Sequence, residues 1–206
     1  LIELDRDLVP NLLASFVSKS PNRCRLINQD ALTVDFGRLG NQLRIVGNLP
    51  YNIGTALLFR LLENVGQIKD IHVMLQKEVV NRIVAVPGNS AYGRLSVMIQ
   101  ATSSVEPLFN VSPESFIPAP KVESGVIRII PNISKRGRIQ CMDTLTDLVR
   151  QSFGQRRKTL RNNLKDIISL KEFDYLEINP QGRPEQLSVD TYIELGNYIA
   201  RQRGTA

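Results

Sequence analysis

Leu1 to Leu4 alternate apolar with polar residues, which predicts a short strand. Asp5-Arg6-Asp7 interrupts it, and Leu8, Leu12, Leu13 and Phe16 then recur at the spacing of a helix. The unit returns in looser form. Arg25 to Asn28 reads as a strand ending at Asp30, Leu43 to Gly47 as a strand ending at Asn48, Thr55 to Asn64 as a helix, and Ile71 to Leu75 as the next strand. Strands that alternate with helices pair in parallel, because each helix returns the chain to the end from which the strand started. The expectation is a doubly wound α/β sheet.

Further on the pattern changes. Val105 to Val111 and Val122 to Ile130 are β-rich runs separated by Ser-Pro-Glu-Ser-Phe-Ile-Pro-Ala-Pro, which predicts an antiparallel pair at the sheet edge. Pro131 to Gly137 reads as a linker, and the segments beyond it are helix-like: Asp143 to Ser152, Arg156 to Ile168 and Ser188 to Arg201. The chain therefore divides into an α/β unit, 1–133, and a small all-helical unit, 134–206.

Composition narrows the functional classes. Hydrophobic residues are 42% and charged residues 22%, as in ordinary globular proteins, and no apolar run approaches the ~18 residues of a membrane-crossing helix. The first residues lack the order of a secretory signal, so cytoplasm is the expected compartment and no membrane partner is expected. Cys24 and Cys141 stand far apart with no neighbour at ligand spacing, so both are read as reduced thiols and no metal is expected. The single histidine, His72, falls inside the apolar run Ile71 to Leu75 and is read as structural. The net charge of +6 is unevenly spread: residues 1–120 carry 11 Lys+Arg against 10 Asp+Glu, residues 121–206 carry 15 against 10. A basic C-terminal part points to a polyanion partner, since cations facing phosphates gain affinity by releasing counterions.

In open α/β sheets ligands bind beyond the carboxyl ends of the strands. Three polar residues fall there: Glu3, able to accept from ribose hydroxyls; Asp30, followed by Ala31, able to accept from an exocyclic amine; and Asn48, able to do either. Each alone reads better as a turn or helix cap. The stretch Gly47-Asn48-Leu49-Pro50-Tyr51 is more informative. An aromatic amine is a poor nucleophile because its lone pair is delocalised into the ring. The Asn48 side-chain oxygen and a backbone carbonyl at Leu49 or Pro50 can each accept one amino hydrogen, which orients the nitrogen lone pair for attack. Tyr51 offers a flat face for a purine, and Pro50 stiffens the loop.

Asn48-Leu-Pro-Tyr51 resembles the motif of amino-methyltransferases that act on adenine, with Leu in second position as in the rRNA enzymes. Glu3-Leu-Asp-Arg6, Asp30-Ala31, Met74-Leu-Gln-Lys-Glu-Val-Val-Asn-Arg82, Ala91-Tyr-Gly-Arg-Leu-Ser96, Phe116-Ile-Pro-Ala-Pro-Lys-Val122 and Phe153-Gly-Gln-Arg-Arg-Lys-Thr159 follow in the order found in bacterial small-subunit rRNA dimethyladenosine transferases. The resemblance spans essentially the whole chain. It implies a Rossmann-like class I methyltransferase sheet with a helical C-terminal domain, and S-adenosylmethionine as methyl donor with no metal. Glu3 would meet the donor's ribose and Asp30 with Ala31 its adenine. Asn48 would stand between donor and target base, and Phe116 would be an aromatic wall opposite Tyr51. The implied reaction is dimethylation of two adjacent adenines near the 3′ end of small-subunit rRNA. It would take place in an immature subunit, with the enzyme acting as a monomer.

The basic run Arg156-Arg157-Lys158, with Arg150, Arg161 and Lys165 nearby and no acid from 150 to 165, is expected on one helix, where Arg157, Arg161 and Lys165 would share a face turned to rRNA phosphates. Lys77, Arg82, Arg94 and Lys121 are weaker candidates for the same surface. Two departures from the family stand out. Its basic N-terminal segment, first strand and Gly-rich turn have no counterpart in the 206 residues, so the expectation is an N-terminally truncated chain that binds the donor poorly and turns over slowly. Gly54 stands where the family has a hydroxyl residue, which predicts a looser helix start. Two other readings remain open: a DNA adenine methyltransferase, which the basic C-terminal segment disfavours, and a non-catalytic ribosome-assembly factor.

Overall fold

The computed structural model describes residues 1–204. Two short strands, β1 (Ile2–Glu3) and β2 (Ile27–Asn28), pair in parallel, and between them lies helix α1 (Val9–Leu12), continued by a π-helical turn, Leu13–Val17. A separate four-stranded sheet follows, built from β3 (Leu43–Asn48), β4 (Ile68–Gln76), β5 (Ser103–Val111) and β6 (Ser124–Pro131) in the order β3-β4-β6-β5. The β3–β4 pair is parallel and carries helix α2 (Gly54–Leu62) in its crossover, whereas β6 runs antiparallel to both β4 and β5. The sheet is therefore mixed rather than wholly parallel. The proline-rich segment between β5 and β6 reverses the chain as a hairpin connection does, so no helix crosses over there.

Strand parity sorts the two faces of this sheet. Ile71, Val73 and Leu75 of β4 and Ile127 and Ile129 of β6 point to one side, where Leu57, Leu58, Leu61 and Leu62 of α2 cover them in a single apolar core. The other face is polar and more open. Val46 is 75% exposed on it, and Arg44 donates two 2.8 Å hydrogen bonds to the buried Asp70 across the β3–β4 pair. The guanidinium holds the Asp70 carboxyl below its usual range, mainly through those hydrogen bonds. His72 is next but one on β4, half-buried, with Nδ1 3.5 Å from Asp70 Oδ1.

Helices α3 (Lys77–Val84) and α4 (Arg94–Gln100), which the hydrophobic pattern does not announce, sit between the sheet and the C-terminal helices. Ile99 of α4 packs into the sheet core, while Val97 and Met98 enter a second core made by the C-terminal part. The expected linker contains a short helix, α5 (Ile133–Gly137), started by Asn132, whose side chain accepts from Lys135 N. Helices α6 (Met142–Ser152), α7 (Leu160–Leu164), α8 (Leu170–Tyr175) and α9 (Val189–Gln202) complete the chain around Leu145, Leu148, Phe173, Tyr192 and Leu195.

The expected long helix from Arg156 to Ile168 is corrected. Residues after α6 form turns through Gly154, and α7 begins only at Leu160, where Thr159 caps Asn162 N. Asn163 Nδ2 donates to the carbonyls of Gln155 and Lys158, which stabilises the non-helical path. Arg156, Arg157 and Lys158 thus lie in a turn. Only Arg161 stands on the helix, with Lys165 as its C-cap, so the shared helical face with Arg157 does not form.

Candidate active site

Asn48 ends β3, paired with Met74 of β4, and the chain is then drawn into the protein by Leu49, whose side chain is 7% exposed and belongs to the sheet core. Leu49 N donates to Met74 O at 3.2 Å, so the loop stays attached to β4 for one residue beyond the ladder. Pro50 then starts a tight turn: its carbonyl accepts from Ile53 N at 3.1 Å and from Gly54 N at 3.0 Å, leading directly into α2. A Cβ at position 54 would approach Leu75 Cδ2 to 2.7 Å, so with glycine the start of α2 lies close against β4, and a side chain there would displace the Leu75 methyl.

The turn also distinguishes two acceptors that the sequence leaves equivalent. The Pro50 carbonyl is engaged by two N–H groups, while the Leu49 carbonyl accepts no hydrogen bond among the described residues. Asn48, Leu49, Pro50 and Tyr51 line a cavity of about 260 Å³ together with Phe116, Pro118 and Pro120 from the β5–β6 connection. Segments 65 residues apart in sequence therefore meet at one opening, and the two aromatic residues Tyr51 and Phe116 both contribute to its wall. Tyr51 Oη lies 2.9 Å from Oγ of the fully buried Ser124, the first residue of β6. Lys77 at the start of α3 pairs with Glu123 at 2.6 Å, one residue before it. Lys121 is exposed on the same loop.

Glu3 and Asp30 stand at the carboxyl ends of neighbouring parallel strands. One oxygen of each is used locally: Glu3 Oε1 accepts from Asp5 N at 2.9 Å and Asp30 Oδ1 from Leu32 N at 2.9 Å. Each carboxylate keeps a second oxygen for a ligand, so the turn and ligand readings are compatible at both positions. Ala31 begins the 3₁₀ turn that Asp30 caps, and that turn packs through Leu32 on the core beneath α2. No group of three His, Cys, Asp or Glu side chains able to hold a metal occurs among the described residues. No helix among them is long and apolar enough to cross a membrane.

The basic residues separate into two kinds. Arg156 Nη2 donates to the carbonyls of Ser90 at 2.7 Å and Tyr92 at 3.0 Å, so it clasps the loop before α4 to the turn after α6. Next to it Phe153 packs edge-on against Tyr92, with centroids 6.2 Å apart, and against Tyr192 at 5.9 Å. The Ala91-to-Ser96 and Phe153-to-Thr159 motifs are thus two sides of one joint. Burial raises the hydroxyl pKa of both Tyr92 and Tyr192, and the Tyr192 hydroxyl donates to Pro184 O at 2.9 Å. Arg157, Lys158, Arg161 and Lys165, by contrast, have no side-chain ion pair among the described residues. Arg82 pairs with Glu78 and Arg150 with Asp147, which lowers their availability.

Residues 1–201 match the ribosomal RNA adenine dimethylase family. A curated relative from Acidithiobacillus ferrooxidans, ribosomal RNA small subunit methyltransferase A, is 47% identical over 98% of this chain and 76% of its own length. A protein of the same name from Pseudomonas aeruginosa is 46% identical over 99% of this chain and 76% of its own length. Among solved structures, a dimethyladenosine transferase from Plasmodium falciparum superposes with a TM-score of 0.83 at 22% identity, covering 98% of this chain and 82% of that one. The 23S rRNA methyltransferase ErmE does so with a TM-score of 0.66 at 20% identity, covering 96% and 80%. These structural likenesses show the fold, a Rossmann-like sheet with a helical C-terminal region.

Proposed function

Because this chain belongs to the ribosomal RNA adenine dimethylase family, we propose that it dimethylates the N6 amino groups of two adjacent adenines near the 3′ end of small-subunit rRNA. S-adenosylmethionine is the donor, and the substrate is an immature small subunit in the cytoplasm. The observation that carries the residue assignment is the single cavity shared by Asn48 to Tyr51 and Phe116.

In this reading the target adenine leaves its stack and enters between Tyr51 and Phe116, where base–aromatic packing offsets the stacking it gives up. One amino hydrogen is accepted by the Asn48 side-chain oxygen and the other by the Leu49 carbonyl, which is free where that of Pro50 is not. With both hydrogens held, the nitrogen lone pair is directed out of the ring plane. Attack leaves a cationic nitrogen that loses its proton readily, so a strong side-chain base is not required. Glu3 suits the ribose hydroxyls of the donor and Asp30 with Ala31 its adenine, because each carboxylate has one oxygen uncommitted. When bound, the donor supplies an electrophilic methyl group on a sulfonium centre.

Residues 134–206 serve as the rRNA-facing part, with Arg157, Lys158, Arg161 and Lys165 as the phosphate-facing cations, Lys121 a further one beside the cavity, and Arg156 chiefly the clasp that sets their position. A chain of this kind acts as a monomer. The test is transfer of radiolabelled methyl from S-adenosylmethionine to undermethylated small subunits, followed by nucleoside analysis. Label in dimethyladenosine supports the reading. Binding of subunits without transfer, by protein that also binds S-adenosylmethionine, would favour an assembly factor instead, and preference for duplex DNA would favour the DNA enzymes.

A further inference from the structure

The segment that carries Phe116 bears a second apolar side chain with no partner in its own protein. Ile117 is 101% exposed, although Phe116 before it and Pro118 after it both line the cavity. The backbone at Phe116 is extended, with φ −123° and ψ 150°, so consecutive side chains leave it on opposite sides: Phe116 toward the cavity, Ile117 outward at its rim. Val122, on the returning limb of the same loop, is 42% exposed, and Phe109 of the adjoining β5 is 61% exposed. Lys121, next to Val122 in the chain, is also exposed.

A lone exposed isoleucine on a protein surface needs no explanation. One placed between two wall residues of the cavity, with a cation four residues away, lies at the mouth through which a target base would enter. We infer that Ile117 is a wedge that enters the rRNA base stack at the place the target adenine leaves. The inference rests on the adenine-methyltransferase reading of the same cavity. Extruding a base uncovers the faces of its neighbours, and an aliphatic side chain covers them without needing a hydrogen-bond partner. A β-branched residue suits this because its χ1 is restricted, so little side-chain freedom is given up on insertion. Phe116 and Ile117 then divide the work: one receives the base, and its neighbour fills the vacancy.

The experiment compares the unsubstituted chain with Ile117→Ser and Ile117→Leu. It measures single-turnover methyl transfer to undermethylated small subunits, subunit affinity by filter binding, and thermal unfolding. The expected result is a single-turnover rate lowered roughly tenfold for the Ser variant, with affinity and melting temperature nearly unchanged, and restored within about twofold by Leu. A Ser variant that keeps pace overturns the wedge alone. Ser and Leu variants equally slow, or a Ser variant whose loss lies wholly in affinity, also overturn it, because an aliphatic filler would then not be what matters. If the unsubstituted chain binds both subunits and S-adenosylmethionine but transfers no label, the methyltransferase reading fails and the wedge fails with it.

Discussion

Tyr51 Oη and Ser124 Oγ are 2.9 Å apart, and this hydrogen bond joins the loop after β3 to the first residue of β6. Ser124 is fully buried and Tyr51 is 42% exposed, so a rigid anchor holds a ring whose face stays available. Tyr51→Ala should remove a stacking face worth ~1–3 kcal/mol and so raise KM for subunits. Ser124→Ala and Tyr51→Phe should each cost about 1 kcal/mol by removing the hydrogen bond, and the double substitution no more than either one. Additive losses in steady-state kinetics would show that the two residues act separately.

Asn48→Ala should lower methyl transfer by roughly two to three orders of magnitude, as removal of a preorganised polar group does at other reacting centres. Because Asn48 is exposed and outside the apolar core, stability and subunit binding should change little. Near-normal transfer by this variant would remove Asn48 from the chemistry.

The two kinds of basic residue should respond differently. Replacing Arg157, Lys158 and Arg161 with Ala should weaken subunit binding and reduce the slope of log affinity against log salt by roughly one for each phosphate left without its cation. Arg156→Ala should chiefly destabilise, by about 1–3 kcal/mol, since it vacates two carbonyls between the sheet-side loop and the helical part. Filter binding over a salt series and urea unfolding separate these effects. An unchanged slope for the triple variant would place the rRNA surface elsewhere.

Asp70 gives a pH dependence to stability. Arg44 holds its folded carboxyl below the ordinary value, so this contribution is fully present above the unfolded carboxylate's pKa near ~4 and is lost as pH falls through the lower folded value. Asp70→Asn should therefore be less stable than the parent at neutral pH, and the gap should narrow below about pH 4. Urea unfolding from neutral to acid pH measures it; a constant gap would mean that charge at Asp70 is not what stabilises the sheet.

Much of this protein was legible in one dimension. Alternation and helical spacing located β3, β4, α2, α6 and α9 to within a few residues, because each buries a continuous face whose period shows directly in the chain. Asn48 to Tyr51 could be recognised as a unit, since the residues that act together are also adjacent. Helices α3, α4 and α8 were not announced. Helix α4 divides its apolar residues between two cores, as Ile99 and Val97 show, so it presents no single clear stripe, and α3 is only eight residues long.

By itself, then, the sequence determined the composition of the site loop, the basic bias of the C-terminal part and the family pattern, all of which depend on residue identity and near-neighbour spacing. Only the tertiary structure decided which carbonyl is free, because Pro50 and Leu49 differ solely in what the turn into α2 demands of them. It alone brought Phe116 to Tyr51, turned Arg156 inward to Ser90 and Tyr92, and ended the basic helix before it began. These outcomes rest on hydrogen bonds and packing between segments distant in sequence, whose partners are set by the fold and leave no periodic trace along the chain.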